Sequence, residues 1–407
     1  MVSIKKFKAI RPQPKYAKDV AALPYDVMNT KEAYAMAQGN PYSFLHITRS
    51  EIDLDDNIDP YSPIVYEKAK DNLNKFLNDG VLFQDENEKF YVYRLIMNGR
   101  SQIGLVALSS VAEYKNGTIK IHEKTRAAKV TDRTQHILTT KAQTGPVFLT
   151  FRDNLNICEL LIKESEAEPL YDFTANDGIQ HTIWEVKQPE IIESAFAKIP
   201  NTYIADGHHR ANSSANCYDI LSKDDNSNGD VKPYSYFLSV VFPDNQLEIM
   251  AYNRIIKSCN LSCNEVLNKL KEVVDIEESG RATPSKKREV SFYMDKKWYS
   301  ITWKPTYQIP NDPVDALDVS ILYELILKPI FNIGDLRTDN NIDFIGGIRG
   351  TMELERLVDS NEAFCAFSMY PVTIADLLTI ADQGKTMAPK STWFEPKLRS
   401  GLLVHKI

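Results

Sequence analysis

Apolar positions recur along the chain with two different periods, and the switches between them mark out the elements. In "PIVYEKAKDNLNKFL" (63–77), Ala69, Leu73 and Phe76 fall at helical spacing, and Asp79-Gly80 supplies the stop. "KFYVYRLIM" and "IGLVALSSV" flank "NGRSQ", whose Asn-Gly start predicts a β-hairpin. "GPVFLTF" and "HTIWEV" read as strands and "PEIIESAFAKI" as a helix; Tyr203 to Ala205 then form a short buried strand and "HHRANSSANCYDIL" a helix. "YSYFLSVVF", the turn "PDN" and "QLEIMAYNRI" predict a second hairpin. Beyond it "CNEVLNKLKEVVDI" is helical, "EVSFYM" and "WYSITW" pair across "DKK", and "DVSILYELILKPIF" is helical. "AFCAFSMY" is a strand and "TIADLLTIADQGK" a helix with a glycine stop. The first sixty residues predict little regular structure beyond a short helix near Lys31 to Ala37, and the polar stretch 222–234 reads as an insertion loop. The pattern is that of a mixed α/β (α+β) chain, strand-rich up to a boundary near residue 250, which gives domains 1–250 and 251–407.

A chain of 407 residues with 43% hydrophobic content buries a sizeable core. Its net charge of −7 provides no broad basic surface, which argues against gripping a nucleic-acid backbone. Five scattered cysteines fit a reducing compartment rather than a disulfide framework, and Cys259 and Cys263 lack the partners of a zinc site. The basic N-terminus has no apolar run behind it, and no segment reaches the roughly 18 apolar residues of a membrane span, so a cytoplasmic protein without membrane association is expected. The oligomeric state is open, a homodimer included.

The densest chemistry is Asp206-Gly207-His208-His209-Arg210, where the buried strand gives way to the helix. Glycine permits a tight bend, and a helix start presents unpaired N–H groups with a dipole that favours an anion; Arg210 and the imidazoles add donors. A helix cap would need Asp206 alone. Two other stretches are unusually polar. In "IHEKTRAAKVTDRTQH" (121–136) Glu123, Arg126, Lys129, Asp132 and Arg133 come after a strand; Glu123 and Arg133 stand out, since an acid beside arginine can bind a metal–phosphate unit. In "MAPKSTWFEPKLRSGL" (387–402) Lys390, Ser391 and Thr392 offer an ammonium and two hydroxyls suited to phosphate or an amino-acid head group. Asp26, in "ALPYDVM", sits in a loop. There is no P-loop, no dinucleotide fingerprint in "GGIRG", and neither H-E-x-x-H nor G-x-S-x-G.

"YIADGHHRANSSA" resembles the phosphate-binding box of the ParB/sulfiredoxin superfamily, in the form carried by its free-serine kinases. With "PYDV", "NPYSFLH", "IHEKT", "DRT", "DGIQHTIW", "YNRII" and "APKSTWFEPKLRSGL", the chain is similar from about residue 10 to 403 to the long proteins of the domain-of-unknown-function family 1015. The resemblance implies a ParB/sulfiredoxin-like N-terminal part, a second α/β part whose "PKST" segment returns to the site, and a kinase phosphorylating free L-serine. ATP, ADP or pyrophosphate would be the donor. In that reading Gly207, Arg210, Arg126, Arg133, Lys390, Ser391 and Thr392 bind phosphate or substrate, and His208 and His209 donate to the transferring group. Asp206 or Glu123 holds Mg²⁺. The serine kinases carry a catalytic glutamate where this chain has Asp26, so Asp26 and Glu123 compete for the role of base. A ParB-like nucleotide-binding regulator acting on DNA lacks a recognisable helix-turn-helix here, and a sulfiredoxin-like reductase lacks its cysteine, His208 taking that place. A non-catalytic, ligand-sensing member is the other alternative.

Overall fold

The computed structural model describes residues 1–55, 57–224, 232–278 and 280–407, so most of the polar stretch read as an insertion loop lies outside the described residues. The chain divides into two compact units. Unit 1 comprises Met1–Ile121, Thr125–Leu247 and Pro396–Ile407; unit 2 comprises His122–Lys124 and Glu248–Glu395.

In unit 1 the longer elements near the start, besides the short edge strand β1 (Ile4–Lys5), are α1 (Thr30–Ala37) and α2 (Pro63–Asn78). Then come the hairpin β2 (Tyr91–Met97) and β3 (Arg100–Ser110), β4 (Ile119–Lys120), α3 (Ala127–Thr140) and β5 (Val147–Phe151). Next are β6 (Tyr171–Thr174), β7 (Gln180–Glu185), α4 (Pro189–Phe196), β8 (Thr202–Asp206), α5 (His208–Asp224) and β9 (Tyr236–Pro243). The hairpin turn is Asn98-Gly99 with φ of 52° and 79°, the left-handed pair that a two-residue turn requires and that asparagine and glycine adopt readily. The strands form one sheet in the order β4-β8-β5-β9-β3-β2-β7-β6, with β1 added to β3. β4–β8 and β5–β9 are parallel and the remaining pairs antiparallel. Phe151, Phe196, Ile204, Leu105 and Val241 lie in the core between sheet and helices, which is why β5, β8 and β9 read as nearly continuous apolar runs.

Residues 396–407 run back along unit 1. Ser400 and Ala22 exchange main-chain hydrogen bonds, as do Val404 and Ile10, and His405-Lys406 pair with Ala142-Gln143.

Unit 2 is built on β10 (Ile249–Met250), β11 (Tyr252–Ile256), α6 (Cys263–Val273), β12 (Val274–Glu278), β13 (Glu289–Met294) and β14 (Lys297–Trp303). A helical run over Asp318–Leu322, Tyr323–Leu327 and Lys328–Phe331 follows, and then β15 (Ile342–Gly346), α7 (Gly350–Asp359), β16 (Cys365–Met369), α8 (Ile374–Asp382) and β17 (Trp393–Phe394). Six strands make an antiparallel sheet in the order β12-β14-β13-β16-β11-β15, and β10 pairs with β17. β13 and β14 join through Asp295-Lys296, both at positive φ.

One expectation is corrected. "YSYFLSVVF" and "QLEIMAYNRI" are not a hairpin: β9 lies inside the sheet of unit 1 between β5 and β3, whereas β10 and β11 pair within unit 2. β9 is buried along nearly its whole length and takes a partner on each edge, leaving no edge for the next strand. The polar stretch after β4 carries α3, whose buried positions include Asp132, Thr134, His136 and Thr140. Among the described residues no helix is long and apolar enough to cross a membrane.

Candidate functional site

The register of β8 against β5 shifts between Ile204 and Asp206, a β-bulge that re-aims the strand end just before the box. Gly207 comes next at φ +93°, where an L side chain is strained, and α5 begins one residue later. The Gly207 N–H donates to Asp206 Oδ1 at 2.9 Å. Arg210, one turn on, is clamped from two sides: Nη1 donates to the Pro146 carbonyl and Nη2 lies 3.4 Å from Asp206 Oδ2. Lys397 Nζ reaches the same oxygen at 3.4 Å, from the segment that runs back along unit 1. Burial alone would raise the Asp206 pKa, but Lys397, Arg210, His208 and the Gly207 N–H outweigh it and hold the carboxyl well below its ordinary range. One carboxylate thus anchors two cations beside the first turn of a helix, the composition of an oxyanion cradle.

His209 Nε2 accepts the Arg126 main-chain N–H at 3.0 Å, which assigns the ring proton to Nδ1. Burial, together with Arg126, Arg210 and Lys129, lowers its pKa against the opposing pull of Asp26, so the neutral ring keeps one N–H to donate. The contact to the box comes from the Arg126 backbone, while the residue itself is exposed.

Asp26 lies in a single 3₁₀ turn, Tyr25–Val27, and its charge acts on both His209 and Tyr25. It borders a cavity of about 490 Å³ lined by Thr30, Thr48, Arg49, Glu51, Lys129 and Arg133 among others. Arg133 forks onto its neighbour Asp132 at 2.9 and 3.1 Å and stacks over the Tyr25 ring at 4.0 Å; Tyr66 donates to the same Asp132 at 3.0 Å. Arg49 pairs with Glu51 at 2.8 Å and donates to Thr30 Oγ1 at 2.9 Å and the Tyr25 carbonyl at 3.2 Å. Fixed charges of both signs therefore face the space. A second cavity of about 30 Å³, room for about one water, is lined by Tyr25, Arg133, His136 and Arg210, joining the walls of the larger one to the box. Burial pushes the His136 imidazole down to about 4, and its Nε2 is bonded to the Ile47 carbonyl at 2.9 Å.

Of the residues read from the sequence, Asp26, Arg126, Arg133 and Asp206 to Arg210 lie in unit 1. Glu123, Lys390, Ser391 and Thr392 lie in unit 2. There His122 Nε2 and Thr392 Oγ1 are 3.2 Å apart, the Met387 N–H donates to the His122 carbonyl at 2.8 Å, and Ser391 Oγ donates to Ala388 O at 2.7 Å. Unit 2 thereby joins "HEK" to "PKST". Lys397, Arg49 and Glu51 were missed by sequence reasoning. Lys397 stands seven residues after Lys390 in the same proline-punctuated segment, a signal that was available; Arg49 and Glu51 sit in a stretch without periodicity.

The model of the family described as "Protein of unknown function (DUF1015)" matches residues 4–320. The chain belongs to the DUF1015 family. No curated protein matches it. Solved structures that this DUF1015 chain resembles include a free serine kinase in complex with AMP, at 12% identity and a TM-score of 0.35 over 72% of this chain and 91% of that one. A conserved hypothetical protein from Pyrococcus furiosus gives 11%, 0.35, 74% and 94% for the same measures. SbnI from Staphylococcus aureus, with a C-terminal truncation, gives 9%, 0.38, 72% and 85%.

Proposed function

We propose that the protein is a small-molecule phosphotransferase that moves a phosphoryl group onto the hydroxyl of a small amino acid, L-serine in the first place. The observation that carries this reading is the cradle of unit 1, in which the start of α5, Arg210 and Lys397 converge on Asp206. Phosphoryl transfer asks a protein chiefly for positioning and for cations where charge develops. The 490 Å³ cavity, with paired charges of both signs, suits a zwitterionic acceptor better than an apolar ligand.

In this mechanism Arg210 and the α5 N–H groups hold the donor's terminal phosphate. The acceptor hydroxyl gives its proton to Asp26 as its oxygen forms the new P–O bond, and the electron pair of the breaking P–O bond leaves with the donor. His209 Nδ1–H donates to the transferring group. The "PKST" segment and Arg126 act on donor or acceptor, as the family pattern implies. Both Asp206 oxygens are engaged by N–H and ammonium or guanidinium donors, so Asp206 fits the part of a Mg²⁺ ligand poorly and serves as anchor of the cations instead. The metal-ligand reading therefore rests on Glu123, and no step here runs through it.

The test is turnover. Purified protein with Mg²⁺ and L-serine is given ATP, ADP or pyrophosphate in separate reactions, and O-phosphoserine is sought by mass spectrometry. Product with one donor and none without protein supports the reading. Tight donor binding with no product from any donor favours the ligand-sensing alternative.

A further inference from the structure

Arg254 is buried to 2% exposure on β11, the strand between β16 and β15. Buried guanidinium groups normally face a carboxylate, because an unpaired charge in a low dielectric costs several kcal/mol. Among the described residues Arg254 has no ion pair: Nη1 donates to the Tyr252 carbonyl, Nη2 to the Lys390 carbonyl at 3.4 Å, and the guanidinium lies 5.6 Å from the Phe344 ring centre. Burial brings its pKa down to about 10, with no carboxylate acting to restore it. Glu395, the acid of the same C-terminal segment, is turned to the Trp393 indole N–H at 3.0 Å.

A second cation stands on the same patch. Lys390 occupies a turn with φ +59°, and its Nζ lies 5.4 Å from the centre of the Tyr252 ring. The turn is held by its C-terminal neighbours: Trp393 packs edge-on to Tyr252 at 5.1 Å, and a side chain at Gly346 would come within 2.9 Å of the indole. The sheet of unit 2 thus brings a buried guanidinium and a lysine together at Tyr252. The Arg254 charge, without a carboxylate of its own, is unfavourable there until an anion arrives. The 3.4 Å bond to the Lys390 carbonyl is long, and it is the contact an oxyanion would replace.

We propose that Arg254 is the floor of an oxyanion site in unit 2, with Lys390 at its mouth, that takes a phosphate or pyrophosphate group. The proposal takes its ligand class from the phosphotransfer reading and adds to it a residue that contacts the ligand. The phosphate can belong to a nucleotide or to inorganic pyrophosphate, and the guanidinium fork would meet its oxygens in the same way.

Hydrogen exchange on the full chain tests this, titrated with pyrophosphate, with ATP and with adenosine as the control without phosphate. Residues 386–394 should exchange more slowly with the first two ligands and not with the third. Protection by ATP alone assigns the group to a nucleotide, and protection by both to the phosphate itself. In Arg254→Gln the affinity read at 386–394 should fall about ten- to a hundredfold, the loss of one charge-assisted hydrogen bond. Any protection at 206–212 should stay. Should Arg254→Gln fail to fold, Arg254→Lys carries the test, with several-fold weaker binding expected. Absence of phosphate-dependent protection at 386–394, or unchanged affinity there in the folded variant, overturns the proposal. Arg254-dependent protection without O-phosphoserine formation would leave this site standing and remove the kinase reading.

Discussion

Replacing Gly207 by alanine loads the box in two ways that can be worked from the geometry. The residue sits at φ +93°, outside the region L-residues populate, and holding a non-glycine residue in such a conformation costs of order 1–3 kcal/mol. The new Cβ would also stand 3.0 to 3.2 Å from Cζ, Nε and Nη2 of Arg210, so the guanidinium must retreat by a few tenths of an ångström. It has little room to do so, being tied to Pro146 on one side and Asp206 on the other. Gly207→Ala should therefore lower the unfolding free energy by about 1–3 kcal/mol and weaken pyrophosphate binding about tenfold, as a charge-assisted bond loosens. Gly207→Asn separates the causes, because asparagine tolerates positive φ but carries the same Cβ. It should recover part of the stability and little of the affinity. Urea denaturation gives the first quantity and calorimetric titration the second. A loss below about 0.5 kcal/mol with unchanged affinity in Gly207→Ala would show that neither the bend nor the position of Arg210 matters as argued.

Three further outcomes are expected. If Asp26 is the base, Asp26→Asn costs about 10²- to 10⁴-fold in kcat with donor affinity little changed, and Glu123→Gln does not; full turnover in both variants removes acid–base catalysis by either. Lys397→Met takes one of the two cations from Asp206; because that carboxyl is held low in the folded state, its stabilisation is present above about pH 3.9 and is lost as pH falls through the folded value, so the variant should acid-unfold at a higher pH than the parent by circular dichroism. His46, bonded to Asp53 at 2.8 Å and the Asn40 carbonyl at 3.2 Å and opposed by burial and Lys68, has its pKa raised, chiefly by Asp53; its contribution is complete below about pH 6.5 and fades as pH rises through the folded value, so His46→Gln should flatten the fall of stability with pH above about 6.5 in denaturant melts.

The strand, bend and helix of the box were legible because Tyr203 to Ala205 are uniformly apolar and the next five residues uniformly polar or glycine. The hairpin turn was legible because asparagine and glycine are the residues that tolerate its φ values. α3 was hidden for the opposite reason: its buried positions include Asp132, Thr134 and His136, of which Asp132 and His136 line the cavity, so the apolar period that normally betrays a helix is weakened where the candidate site needs polar walls. The cavity wall from residues 25 to 66 was equally opaque, since short turns hold it and side-chain pairs such as Arg49–Glu51 fix it. Pairing across long stretches was the other blind spot. Nothing local in "QLEIMAYNRI" distinguishes a strand that turns back from one that leaves for another sheet.

Lys397 reaches the box from a segment that follows the long run of unit 2, residues 248–395, inserted between Leu247 and Pro396. On the ribosome, β8 and α5 therefore emerge with their acid but without one of its two cations, and Ala22, Ile10 and Ala142 wait for the same late segment. Unit 1 is in this sense a sentence interrupted by a long parenthesis. A nascent chain halted inside residues 248–395 carries every residue of the Asp206–Arg210 motif yet holds an unfinished cradle, so the full set of cations at Asp206 assembles only once the segment carrying Lys397 has been translated.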